Sequence, residues 1–189
     1  MNDKLFFNGN IIDVEASGFS SDSYPVEIGI MLGSGASFEA IIKPTEDWTH
    51  WCEEAQGIHG LSRAFLHEFG QDVRVLCEHL NDFCEDQTLY SDAWVWDSFW
   101  INRLYAAAGM RPSFTCSPLE YFLSEQHVDE WLDYKRLYAK QLKLPQHRAL
   151  NDAKIIANIL SDEGIIQPMD LGIMPVEFNT GHTEILKSA

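Results

Sequence analysis

Positive charge is what this 189-residue chain has least of: 13 Lys and Arg stand against 29 Asp and Glu, a formal net charge of −16. Such a body repels polyanions at long range, which argues against a surface that holds many phosphates at once. Cysteine is sparse too. Cys52, Cys77, Cys84 and Cys116 form no C-x-x-C pair and no zinc spacing, so buried reduced thiols are expected. No apolar run is long enough for a transmembrane helix. The opening MNDKLFFNGN lacks the basic-then-apolar layout of a secretory signal. There is no repeat and no low-complexity tract. Together these absences predict a cytoplasmic protein with no membrane partner.

What is present is enough apolar matter for a core. Hydrophobic residues make up 46 % of the chain, which excludes a disordered protein. The length suits one domain, 1–164, followed by a tail, 165–189, that has no clear period and is expected to dock or be partly mobile. β-branched runs punctuated by turn residues predict strands at 10–15, 26–32 and 37–42, an antiparallel meander. Beyond Glu53 the period becomes helical. Val73, Leu76, Cys77, Leu80 and Phe83 mark a helix over 72–83, after one over 61–69. A short buried strand at 88–91, a helix over 97–108 stopped by Gly109, and a short strand at 114–116 follow. Helices over 128–142 and 148–160 complete the pattern. The expectation is an α/β fold: a central mixed sheet of about five strands, meander first and parallel strands after, flanked by helices.

Inside the first strand, IIDVEASG sets Asp13 and Glu15 two residues apart. Side chains alternate along a strand, so both carboxylates share a face, about 7 Å apart. At an effective dielectric near 20 their repulsion is roughly 2–3 kcal/mol. A hard divalent cation between them reverses that sign, because Mg²⁺ and Mn²⁺ take oxygen ligands. A lone D-x-E also suits a solvated strand end. Two further acids sharpen the reading. Asp97 lies at a loop-to-helix junction in SDAWVWDSFW, and Asp152 lies in the first turn of the last helix, five residues after His147 in HRALNDA. In open α/β sheets, ligand sites gather at the carboxyl ends of strands. Asp13, Glu15 and Asp92 stand at such ends, and helices opened by Asp97 and Asp152 can point there.

These motifs, in this order, resemble the DEDDh exonucleases, the superfamily of polymerase proofreading exonucleases and ribonuclease T. Asp13-Val14-Glu15 with the small-residue turn Ala16-Ser17-Gly18 resembles the first motif, Trp96-Asp97 the second, and His147 with Asp152 the third. AQGIHGLS resembles the I-H-G loop that lies between the first two. The resemblance covers residues 10–160. One departure is clear: where the family usually has His-Asn before the second-motif acid, this chain has Asp92-Ala93. The usual Asn shapes that loop, so the placement of Asp97 is the open point, and Asp92 is a candidate water-mediated ligand.

The resemblance implies a ribonuclease H-like fold and a metal-dependent 3′–5′ exonuclease that releases nucleoside 5′-monophosphates. It implies two divalent ions, Mg²⁺ or Mn²⁺, about 4 Å apart, held by Asp13, Glu15, Asp97 and Asp152, with His147 as general base. The partner implied is a nucleic-acid 3′ end, DNA or RNA, single-stranded by preference; oligomerisation is left open. Substrate contacts are expected from Ala16, Ser17 and Gly18 and from Phe19, Ile58 and His59 flanking the terminal base. Trp48 and Trp51 are further stacking candidates, with Trp94, Trp96 and Trp100 expected in packing. One window, 135–154, carries six basic residues and a single acid, a net +5 that leaves −21 for the rest. From it, Lys135, Arg136, Lys140, Lys143 and Arg148 are expected to grip phosphates. The acidic body favours a variant restricted to short oligonucleotides. A non-catalytic module that keeps the fold and binds a partner is the alternative from another class.

Overall fold

The computed structural model describes residues 9–162. The expected tail at 165–189 and the domain limit at 164 lie outside the described residues.

The three N-terminal strands form the meander that the β-branched runs predict. β1 (Asn10–Ala16) lies between β2 (Pro25–Met31), antiparallel, and β4 (Thr88–Ser91), parallel. β3 (Ser37–Ile41) extends the antiparallel side and β5 (Thr115–Pro118) the parallel side, giving the order β3-β2-β1-β4-β5. A central strand is covered on both faces, and β1 shows it. Ile12, Val14 and Ala16 pack in one cluster, with Leu76, Leu80, Trp100 and Leu104. Ile11 packs in the other, with Ala153, Ile156 and Leu160. Alternation therefore puts Asp13 and Glu15 on the Ile11 face.

Among the described residues six α-helices flank this sheet: α1 (Glu53–His59), α2 (Arg63–Phe69), α3 (Val73–Phe83), α4 (Trp94–Ala108), α5 (Glu125–Leu142) and α6 (Ala149–Asp162). Their starts follow local chemistry. Asp72 caps α3 by accepting from the N–H groups of Arg74 and Val75. Ser124 and His127 close a capping box on α5. Among the described residues no helix is long and apolar enough to cross a membrane.

The sequence reading departs from the structure at three helix starts. α1 occupies the stretch read as the I-H-G loop; with Gly57 inside it and only Ala55 and His59 buried, it carries no apolar period to detect. α4 begins at Trp94, three residues before the expected start, because Ala93 provides no side-chain cap to mark the turn. α5 begins at Glu125, before the first apolar residue of its helical stripe.

The decisive packing is α6 against β2. A Cβ on Gly29 would stand 2.1 Å from the backbone nitrogen of Leu150. Only a glycine lets the first turn of α6 lie this close to the strand. Gly29 pairs across the sheet with Asp13, so the close approach sets the start of α6 beside the first-motif acids.

Candidate active site

Asp13, Glu15, Asp97, His147 and Asp152 line a single cavity of about 320 Å³. They come from β1, α4 and the entry to α6, separated by up to 139 residues of chain. Ala16, Phe19, Ile58, His59 and Trp100 share its wall, and so do Asp92 and Lys135.

Each carboxylate has a local reason for its place. Asp97 sits in the first turn of α4 and is almost fully buried. Its Oδ2 accepts from the Ser91 hydroxyl at 2.5 Å, while Ser91 Oγ accepts from the Ala93 N–H at 3.0 Å. Ser91 thus holds the loop and the acid together without the usual Asn. Asp152 reaches back from α6, its Oδ2 accepting the His147 N–H at 2.7 Å. That amide points inward because His147 adopts a left-handed backbone, φ 62°. The five-residue spacing of His147 and Asp152 is therefore a closed local turn, with the imidazole left exposed at the cavity.

An ion pair with one buried partner anchors that turn. Glu27 on β2, 2 % exposed, accepts from Arg148 Nη2 at 2.6 Å and from Arg148 Nε at 3.1 Å. The same carboxylate accepts the Ala149 N–H at 3.0 Å. It sits at the N-terminus of α6, where negative charge is favoured.

Without metal, the cluster holds protons that isolated carboxylates would release. Burial pushes the Asp13 pKa well up, and Asp97, Glu15 and Asp152 push it further. Burial and then Asp152 raise Glu15 to about 7. Burial raises Asp97, against the lowering effect of Ser91, and also raises Asp152. These are the directions expected when several acids share a buried site, and Lys135 on the same wall offsets them only in part.

The donor set fits a hard divalent cation. Glu15, His147 and Asp152 each offer a ligand atom within 4.8 Å of the others. Among the described residues, Asp152 Oδ1 is buried with no hydrogen-bond partner, a costly state for a carboxylate oxygen unless a ligand takes it. Asp13 and Asp97 add further oxygen donors to the same cavity.

The expected substrate contacts divide. Phe19 and Ile58 are 68 % and 53 % exposed at the cavity wall. Phe19 is propped by Trp96 and Trp100 at ring distances of 5.3 and 5.6 Å. The His59 ring lies buried in the wall. Its Nδ1 accepts the Leu61 N–H at 3.0 Å, which puts the ring proton on Nε2. Burial lowers its pKa, and Nε2 is itself buried in the wall.

Ser17 and Gly18 do not line the cavity. The Ser17 N–H and C=O bond Tyr24 and Cys52, and its hydroxyl meets His50 Nδ1 at 3.0 Å. Gly18 is needed because a Cβ there would lie 2.8 Å from Cys52 and His50. The Arg148 guanidinium is engaged by Glu27 rather than turned to the cavity. Trp48 is buried in a stack on Tyr24, and Trp51 bonds Gln56. Among the described residues the tryptophan that lines the cavity is instead Trp100, which the sequence assigned to packing. The basic stripe also breaks up, with Arg136 paired to Asp133 and Lys135 to Asp92.

Sequence reasoning missed Glu27, Ser91 and Trp131. Glu27 had a signal, an acid inside the apolar run PVEIGIM. Ser91 and Trp131 had none, since only the fold brings them to Asp97 and Asp92.

No protein-family model matches this chain, and no curated protein does. Solved structures do. E. coli exonuclease I in complex with a dT13 oligonucleotide superposes with a TM-score of 0.61 at 12 % identity, over 86 % of this chain and 42 % of that one. Its complex with dA16 gives 0.60 at 13 %, over 85 % and 41 %. Exonuclease I from Methylocaldum szegediense gives 0.56 at 14 %, over 82 % and 40 %. The fold is ribonuclease H-like. At such identity the likeness carries no more than that, and the chain spans about two fifths of the length of these neighbours.

Proposed function

We propose that this chain is a metal-dependent 3′–5′ exonuclease that hydrolyses phosphodiester bonds at single-stranded nucleic-acid ends and releases nucleoside 5′-monophosphates. One observation carries the reading: four acids and a histidine from three distant segments line one cavity. The fold shared with exonuclease I, one of whose solved structures is a zinc-ion-bound complex with single-stranded DNA, supports it.

Glu15 and Asp152 would hold one divalent ion, and Asp97 a second, with Asp13 between them. Such ions supply Lewis-acid polarisation of the phosphoryl group and lower the pKa of water. His147, exposed beside Glu15 and Asp152, takes the proton of the attacking water. The water oxygen bonds to phosphorus, the bond from phosphorus to the 3′-oxygen breaks, and that oxygen leaves with a proton from solvent. Asp152 fixes the His147 backbone, so the base is oriented by the acid next to it. Phe19 and Ile58 offer apolar faces to the terminal base.

A preference for short oligonucleotides has its own support. Arg148 and Lys135, the cations nearest the cavity, are each paired with an acid. With Arg136 paired to Asp133, three of the six cations of the basic window are engaged, which shortens the track for a long backbone, so activity should fall only shallowly with salt.

The test is incubation of the full chain with 3′- and 5′-labelled DNA and RNA oligomers, with Mn²⁺ or with EDTA, followed by product sizing. Mononucleotides released stepwise from the 3′ end only with metal are expected. Intact oligomers under every condition would leave a non-catalytic module.

A further inference from the structure

Among the described residues Lys135 is the one basic side chain of the cavity wall other than histidine. It is only 18 % exposed, and its Nζ meets Asp92 Oδ2 at 2.9 Å. Trp131, one turn earlier on α5, donates its indole N–H to the same oxygen at 2.7 Å. Trp131 packs against the Ile11–Ile156 cluster, which fastens α5 to the sheet. The carboxylate that holds the ammonium is therefore itself fixed by Trp131.

Asp92 takes one of its three N–H groups. Among the described residues no other hydrogen bond to the ammonium is made. The Asp92 carboxylate at 2.9 Å is the counterion that keeps this largely covered ammonium charged. A buried ion pair is a poor source of stability, since an apolar pair of similar volume serves as well. A fixed cation on the wall of a cavity also repels a divalent ion from its own side and leaves room there for an anion.

Resting on the exonuclease reading above, we propose that Lys135 binds the phosphate under attack, its free N–H groups donating to a non-bridging oxygen. The donor is preorganised, so it meets charge developing on the phosphoryl oxygens at no cost of reorganisation. It would also hold the phosphate of the product. The Asp92–Lys135 pair then makes functional sense of the departure at Asp92-Ala93.

The experiment compares wild type, Lys135→Met and the double variant Asp92→Asn/Lys135→Met, which leaves no buried charge unpaired if the single variant folds poorly. Thymidine 5′-monophosphate and thymidine are titrated calorimetrically with Mn²⁺ present, and Mn²⁺ binding is followed separately by electron paramagnetic resonance. Expected are a loss of about tenfold or more in monophosphate affinity, no change for thymidine, and Mn²⁺ binding as tight or tighter. With substrate, kcat should fall by about 10²–10³, the usual effect of removing one transition-state donor. Equal monophosphate affinity in wild type and both variants would overturn the role of Lys135 while leaving the nuclease reading intact. A wild type that binds Mn²⁺ but neither binds the monophosphate nor cleaves oligomers would overturn both.

Discussion

Glu27 and Arg148 join the middle of the sheet to the start of the last helix through a two-pronged ion pair, and the Ala149 N–H completes it. The pair touches no expected ligand. It acts by holding the turn that carries His147 and Asp152. Arg148→Ala leaves Glu27 buried with one amide as its only partner. We expect a loss of about 2–3 kcal/mol, less than a fully buried pair would lose because the guanidinium is half open to solvent. Urea denaturation of the metal-free protein reads this directly, and an unchanged midpoint would remove the pair from the architecture of the site.

Gly29→Ala tests the other support of α6. A methyl group has no room against Leu150, so the helix must move off the strand, carrying Asp152 away from Asp13. Overpacking of this kind costs about 1–3 kcal/mol. Activity should fall more than stability, and full activity with a wild-type melting temperature would show that the approach is not needed.

The cluster makes metal-free stability depend on pH in a stated direction. Folding raises Glu15 from 4.5 to about 7, so its protonated form favours the folded state. The stability this confers is complete below pH 4.5 and is lost as pH rises through 7. Glu15 alone contributes on the order of 3 kcal/mol across that window. The metal-free melting temperature should therefore be lower at pH 8 than at pH 5.5. Mn²⁺ should reverse the trend, because metal displaces those protons and binds more tightly as pH rises. Asp13→Asn should raise metal-free stability at pH 8 and abolish cleavage. A melting temperature that ignores both pH and Mn²⁺ would contradict the crowding of acids.

His147→Ala separates base from ligand. Loss of a general base typically slows a reaction by about 10²–10⁴. Mn²⁺ affinity measured on the same protein should stay near wild type. If it falls in parallel with the rate, the imidazole belongs to the metal set with Glu15 and Asp152.

Phe19→Ala probes the rim. Phe19 is mostly exposed, so stability should change little. Loss of a stacking face should weaken binding of a short single-stranded oligomer by about 1–3 kcal/mol. Fluorescence anisotropy in Ca²⁺, with cleavage suppressed, would register it; unchanged affinity would assign Phe19 to packing on Trp96 and Trp100.

Much of this molecule is legible locally. β-branched runs and turn residues marked β1, β2 and β3, short apolar runs placed β4 and, ending two residues early, β5, and helical spacing marked α2, α3 and the bodies of α4, α5 and α6. The acids were legible because a carboxylate pair inside a β-branched run, or one five residues after a histidine, is a short-range pattern. α1 was not legible, since a seven-residue helix with a glycine in it depends on packing rather than on its own period. The fate of the cations was not legible either. Nothing in the order Lys135 to Arg148 says that one ammonium enters the cavity and one guanidinium turns to Glu27.

By itself, then, the chain's order of residues determined the mixed sheet, its meander and the identity of the acids, because propensity and alternation act over a few residues. Tertiary structure alone decided which partners those acids have. Ser91 meets Asp97, Lys135 meets Asp92 and α6 rests on Gly29 through contacts between segments far apart in sequence. Charge and burial at such contacts depend on three-dimensional distance, which no local pattern encodes.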